Sequence, residues 1–285
     1  MKNFWNRIKP ALFISFWVIV SGGVVVLLGA AFVENHAEKF NRIEVSVDES
    51  DGNLFVGRSD IVQLLQDHQI NAQKSKAVGD INYQSMEQAI EANPYIESAR
   101  LFVDANRNIQ VEVKQKLPVL RIINSQRVSY YLDDHGKRMP CSSKFTARVP
   151  VATGYIITNA EHPDSNDLML EKKLFVLADF IRHDSLLNAL FGQIVVNEKQ
   201  EFELIPSVGN HSVLIGDVND LDRKFSKLKV FYREGLKHAG WDEYSLINLK
   251  YENEVYCTRR NANTSGNTVQ TNNASTENKT PADKN

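Results

Sequence analysis

The chain has 285 residues, 42% hydrophobic and 24% charged, enough apolar material for one large folded domain or two small ones. A formal net charge of −2 gives no global basis for a nucleic-acid partner. Two cysteines, Cys141 and Cys257, exclude a disulfide-dense scaffold and a structural zinc site.

The first element is a run without a charged residue, Ala11 to Val33. About 20 apolar residues cross a bilayer as a helix, whereas the apolar part of a cleavable signal peptide covers only ~7–15. The segment therefore reads as a single transmembrane signal anchor, with a buried core helix as the weaker alternative. Lys2, Arg7 and Lys9 precede it without an acid, while Lys39 and Arg42 beyond it are mixed with Glu34, Glu38 and Glu44. This bias keeps residues 1–10 in the cytoplasm and places everything after Phe40 outside it.

Residues 41–117 alternate strand and helix. In FNRIEVSVDES, Ile43, Val45 and Val47 share one face of a strand. GRSDIVQLLQDHQI offers Ser59 as a helix cap and sets Ile61, Leu64, Leu65 and His68 at helical spacing. In NYQSMEQAIEAN, Met86 and Ile90 point inward, and the helix stops by Asn93 because Pro94 follows. A hairpin turning at Ala105–Asn108 completes the unit, a small α+β sandwich of order β-α-α-β-β.

The second unit, residues 118–260, opens with strands around YYLDDHGKRMP. Asp133, Asp134 and His135 invite a metal or acid–base reading. They are also what a tight reversal before Gly136 selects, and the other six histidines are scattered. The bend is the better reading. Leu170, Leu174, Leu177, Ala178 and Ile181 then form a helical stripe, followed by strands at Ile194–Val196, Phe202–Ile205 and Ser212–Ile215. A further helix buries Leu221, Phe225, Leu228, Phe231 or Tyr232, and Leu236, and ends at Gly240. YSLINLKYENEVYCT reads as one long closing strand. The cysteines lie in apolar, strand-like stretches, where free buried thiols are common; a single bridge between them stays open. Asn261–Asn285 is polar apart from Val269 and should be disordered, because it cannot bury enough surface to offset ordering.

Enzyme templates are missing. There is no phosphate-binding glycine loop, no Gly-x-Ser-x-Gly and no His-Glu-x-x-His, and neither cysteine has a histidine beside it in sequence. Glu201 and Glu203 share a strand face, and Lys224, Lys227, Arg233 and Lys237 read as a solvated helix face. No catalytic residue, cofactor, metal, nucleic acid or small-molecule substrate is expected.

A helix ending in Asn93-Pro94, with the hairpin closing on KQKLPV, resembles the POTRA domain, and in particular that of the bacterial division family FtsQ, also called DivIB. YYLDDHGKRMP followed by FTARVPVATGYI is similar to the start of that family's β domain, and KFSKLKVFYREGLKHAGWDEYSLINLKY to its closing helix and strand. The resemblance covers nearly everything but the tail and is greatest to Bacteroidetes-type members. It implies an α+β protein with one N-terminal transmembrane helix, a POTRA domain and a mixed β domain carrying two longer helices. It also implies a non-enzymatic scaffold of the cell inner membrane, N-terminus cytoplasmic and bulk periplasmic, at the division septum. Such a scaffold links FtsB-like and FtsL-like bitopic partners and helps recruit or regulate septal peptidoglycan synthesis.

In that family the closing strand receives a segment of FtsB by strand addition. Carried over, the contact falls on Asn248, Leu249, Lys250 and Tyr251, with Tyr251 as the aromatic contact and plain strand packing as its alternative. Lys250 stands where relatives have an arginine, and lysine offers a point charge in place of a fork. A tryptophan found later in relatives has no counterpart; CTRR occupies its place, with Tyr256 nearby. Two other readings are a POTRA-containing envelope chaperone or transport accessory protein, and an envelope hydrolase built from scattered acids. The first needs a barrel or repeated POTRA units, which the sequence after Pro118 does not show.

Overall fold

The structure, a computed structural model, describes residues 16–27, 42–49, 52–67, 81–158, 163–236, 240–252 and 254–260. Of the expected span Ala11–Val33, residues 16–27 are described, as helix α1, and the remainder lies outside the described residues. No helix among the described residues is long and apolar enough to cross a membrane. His68 and the tail 261–285 also lie outside the described residues.

Alternation builds the first sheet. Strands β1 (Ile43–Asp48), β2 (Ile96–Val103) and β3 (Ile109–Gln115) form a three-stranded sheet in the order β1-β3-β2. β1 runs parallel to β3 and β2 antiparallel to it. Val45, Ala99, Leu101, Ile109, Val111 and Val113 are buried in one core with Ile61 and Leu65 of α2 (Arg58–Asp67) and Met86 and Ile90 of α3 (Tyr83–Glu91). Ser59 does not cap α2: it lies within the first turn, and the Asp60 carboxylate accepts the Gly57 N–H at 3.1 Å. Three residues in, an acid can reach back to the last non-helical N–H, so the helix starts two residues before the position a Ser59 cap implies. At the hairpin, Asp104 Oδ1 accepts the N–H groups of Asn106 and Asn108, both at 2.8 Å, holding the turn in which Arg107 takes φ 62°.

Nine strands make the second sheet. They are β4 (Pro118–Ile123), β5 (Ser129–Asp133), β6 (Arg138–Pro140), β7 (Val151–Gly154), β8 (Phe191–Val196), β9 (Phe202–Pro206), β10 (Ser212–Gly216), β11 (Tyr244–Asn248) and β12 (Tyr256–Arg259). Their spatial order is β12-β11-β10-β9-β8-β7-β4-β5-β6. Helix α4 (Ser165–Arg182) buries the expected stripe, and Asp164 and Asp167 cap it reciprocally. α5 (Ser185–Leu190), too short to show a period, is started by Asp184, whose carboxylate accepts the Leu186 and Leu187 N–H groups. α6 (Leu221–Val230) runs into a π turn, Phe231–Gly235. The wider turn brings both aromatics inward, so Phe231 packs 5.8 Å from Tyr244 and Tyr232 5.2 Å from Trp241.

The closing segment departs from expectation: it is two strands, not one. Asn248 ends β11, the chain reverses, and β12 returns antiparallel to it. Both cysteines are free thiols. Cys141 follows β6 and Cys257 lies in β12, at opposite edges of the nine-stranded sheet, so several strand spacings of about 4.8 Å separate them and a bridge is out of reach.

The two cores meet at β5. Tyr130 and Leu132 enter the core of the large sheet, while Tyr131 joins the other core with Met139 and Ala147. There Phe55 packs against Tyr95 (5.3 Å), Tyr131 (5.9 Å) and Phe145 (4.9 Å). Buried Gln115 ties the 53–56 loop to β3, accepting the Val56 N–H and donating to the Asn53 carbonyl.

Under α4, Glu171 is 5% exposed and accepts from Arg138 at 2.7 Å and from the Tyr130 hydroxyl. Burial first, then this carboxylate, push the Tyr130 pKa far above the ordinary phenol value. Replacing Glu171 by alanine should therefore lower unfolding free energy by about 3 kcal/mol, because the Arg138 guanidinium loses its counter-charge. Denaturant midpoints at constant m-value check this, and a Glu171→Leu, Arg138→Met pair should recover most of the loss.

Candidate partner-binding edge

The closing hairpin hangs on one buried row. β11 runs parallel to β10, with Leu246, Ile247 and Asn248 opposite Ser212, Val213 and Leu214, and Ile247 is fully buried. On its other side Asn248 faces Tyr256 and Ile247 faces Cys257 in β12. No described strand pairs with the outer side of β12. A strand edge of that kind presents unpaired N–H and C=O groups to a partner chain. The opposite edge, β6, has three residues and ends in Pro140, which has no N–H to give. Of the two edges of this sheet, β12 is the better template.

The four residues expected to make the contact do not share one strand. Asn248 closes β11, and its side chain accepts the Lys250 N–H at 3.0 Å. Leu249 is buried, and its N–H reaches the Leu214 carbonyl at 2.9 Å. Lys250 lays its stem over Gly216, where a Cβ would meet Lys250 Cγ at 2.7 Å, and its Nζ pairs with Glu201 Oε1 at 2.5 Å. That pairing lowers the Glu201 pKa and raises that of Lys250. The lysine charge is thus already met within the chain. Tyr251 is 54% exposed and meets Tyr256, 52% exposed, at 4.7 Å between ring centroids.

Residues 117–258 match the family model described as FtsQ/DivIB, C-terminal related, and residues 38–114 match that of the POTRA-like domain. The chain is an FtsQ/DivIB-type protein with a POTRA domain. No curated protein matches it. Membership of the FtsQ/DivIB type points to a scaffold role in cell division, with division-complex proteins as partners.

The expected basic face of α6 is only partly solvated: Arg233 is exposed, Lys227 half-buried and Lys224 buried. Lys224 is 6% exposed and pairs with Asp217 at 2.6 Å. Lys227 Nζ gathers the carbonyls of Tyr251, Glu252 (3.2 Å) and Glu254 (3.5 Å), and Arg223 meets Glu252 at 3.4 Å. Desolvation, then Arg223 and Lys224, lower the Lys227 pKa. Arg233 pairs with Glu234 at 2.8 Å, and Lys237 lies outside the described residues. The Lys227 bonds tie α6 to the backbone at Tyr251, Glu252 and Glu254, and no feature of the sequence separates such a lysine from a solvated one.

Asp133, Asp134 and His135 do bring their ligand atoms within 4.8 Å of one another. They are consecutive residues of one turn, however. Asp133 Oδ1 is taken by the N–H groups of His135 and Lys137 at 3.0 and 2.8 Å, and Gly136 adopts φ 70°. The geometry is that of the bend.

Beneath the hairpin, buried His211 bonds the Tyr232 hydroxyl through Nε2 at 2.8 Å and packs against Trp241. Desolvation lowers its pKa from 6.5 and Arg260 adds to that, against a backbone hydrogen bond at Trp241 and the Asp242 carboxylate, which oppose it. The folded state therefore favours the neutral ring. Stability is full above about pH 6.5 and is lost as pH falls from there through the folded value. Denaturant midpoints measured between about pH 7.5 and 5.5 should fall for the parent chain, and His211→Gln should flatten that slope.

Proposed function

We propose that the protein is a non-enzymatic division scaffold whose closing edge receives a strand from an FtsB-like bitopic partner, itself paired with an FtsL-like protein. What carries the reading is the outer side of β12, with Tyr251 and Tyr256 exposed beside it. An incoming strand would take its main-chain hydrogen bonds from β12 and its side-chain discrimination from the tyrosine pair. Asn248, Leu249 and Lys250 would act mainly by shaping the reversal that presents Tyr251. Tyr256 would supply the second aromatic surface that relatives draw from a tryptophan.

Beside this edge runs an apolar groove lined by Val230, Phe231 and Val255, with Arg223, Lys227 and Glu234 also in its lining. It would seat apolar side chains flanking the added strand. Ala11–Val33 would anchor the chain in the inner membrane, bulk periplasmic, at the septum. The unpartnered apolar surface of α1, with Phe16, Ile19, Val25, Val26 and Leu27 all exposed, supports that placement. Confinement to a membrane raises the effective concentration of co-anchored partners, so individually weak contacts suffice to recruit or restrain septal peptidoglycan synthesis.

A Tyr251→Glu variant should keep its thermal midpoint, since the ring is half-exposed, yet lose co-purification of the small bitopic partners. Undiminished capture by that variant would remove Tyr251 from the interface. Depletion of the protein should leave filamentous cells with segregated nucleoids. Normal division after depletion would overturn the scaffold reading as a whole.

A further inference from the structure

β2 is an outer strand of the three-stranded sheet. Its hydrogen bonds to β3 alternate along the strand. The Asp104 N–H bonds the Asn108 carbonyl at 3.0 Å, so the even-numbered residues of β2 face β3, and the N–H groups of Ala99 and Leu101 point away from it. Those two groups are not open to solvent. Glu91 Oε1 accepts from Ala99 at 3.0 Å, and Glu87 Oε1 accepts from Leu101 at 2.8 Å.

Both acids come from α3, and the spacing fits. Met86 and Ile90, four apart, turn into the core. Glu87 and Glu91 form the adjacent row, one helical turn or about 6 Å apart along the axis. Alternate residues of a strand are separated by about 6.8 Å. Each carboxylate oxygen sits where the carbonyl of an added strand would sit, and a charged acceptor holds an N–H more tightly than a neutral carbonyl does.

We propose that Glu87 and Glu91 are an edge guard, closing β2 to strand pairing with a second copy of this chain. An uncovered edge pairs with its own kind, and copies of the chain are present in every preparation. The guard is independent of the Tyr251 contact, so either assignment can fail with the other intact.

The test compares the full-length protein in detergent micelles as the parent, E87A/E91A and E87Q/E91Q. Hydrogen–deuterium exchange at Ala99 and Leu101 is read together with sedimentation over a dilution series. In dilute E87A/E91A both amides should exchange about tenfold faster, the factor expected for loss of one hydrogen bond of ordinary strength. A species of doubled protein mass should grow in with concentration. E87Q/E91Q keeps a side-chain carbonyl as acceptor and should follow the parent. Parent-like exchange in folded E87A/E91A, or fast exchange with no heavier species at any concentration, overturns the proposal. Should E87A/E91A not fold, E87A and E91A are read singly: acceleration confined to Leu101 in the first and Ala99 in the second supports the guard, and parent-like exchange at both overturns it.

Discussion

A β-strand sends successive side chains to opposite faces, and β5 buries both of its faces. Tyr130 and Leu132 enter the core of the large sheet, while Tyr131 enters the core beneath the POTRA helices. One pentapeptide thereby belongs to two hydrophobic cores, and neither completes without it. Tyr131, Tyr95 and Phe145 close around Phe55 from three separate stretches of chain. The buried Glu171–Arg138 pair fixes the other side of the same hairpin against α4. The acids that end β5 thus serve the geometry of the strand, and Asp133 gives its carboxylate to the backbone of the turn.

Every open sheet must also deal with its edges, and this chain treats them differently. β6 is short and ends in proline. β2 has the outward N–H groups of Ala99 and Leu101 occupied by two glutamates. β12, also short at four residues, has neither a proline nor glutamates on its outer N–H groups, and its neighbourhood is exposed, aromatic and bonded by Lys227. Under the proposed function, this contrast would separate an edge that receives a strand from edges that refuse one, without appeal to any catalytic group.

Lys250 illustrates how a position inherited from a family pattern acquires a local meaning. Its stem fills the space above Gly216 and its charge answers Glu201. In the proposed interface a partner carboxylate would have to compete with an acid already in place, so discrimination would shift towards backbone pairing and the tyrosines. Beneath, His211 sits between the π turn and the Trp241 loop, linking the seating of the hairpin to the charge on one imidazole.

By itself the sequence determined the elements with a clear period and their order. The alternation of β1 to β3, the stripe of α4, the spacing that buries Phe225 and Leu228, and the bend at Gly136 all follow from local steric and solvation rules acting within a few residues. It carried the type of protein as well, through the order of its modules. Only tertiary structure decided the split of the closing segment into β11 and β12, the burial of Lys224, the carbonyl grip of Lys227, the partner of Lys250 and the guarding of β2. Each of these depends on which distant residues arrive at the same place. A lysine reads alike whether water or a carboxylate waits beside it, and β12 shows no sign in its own letters of being an edge.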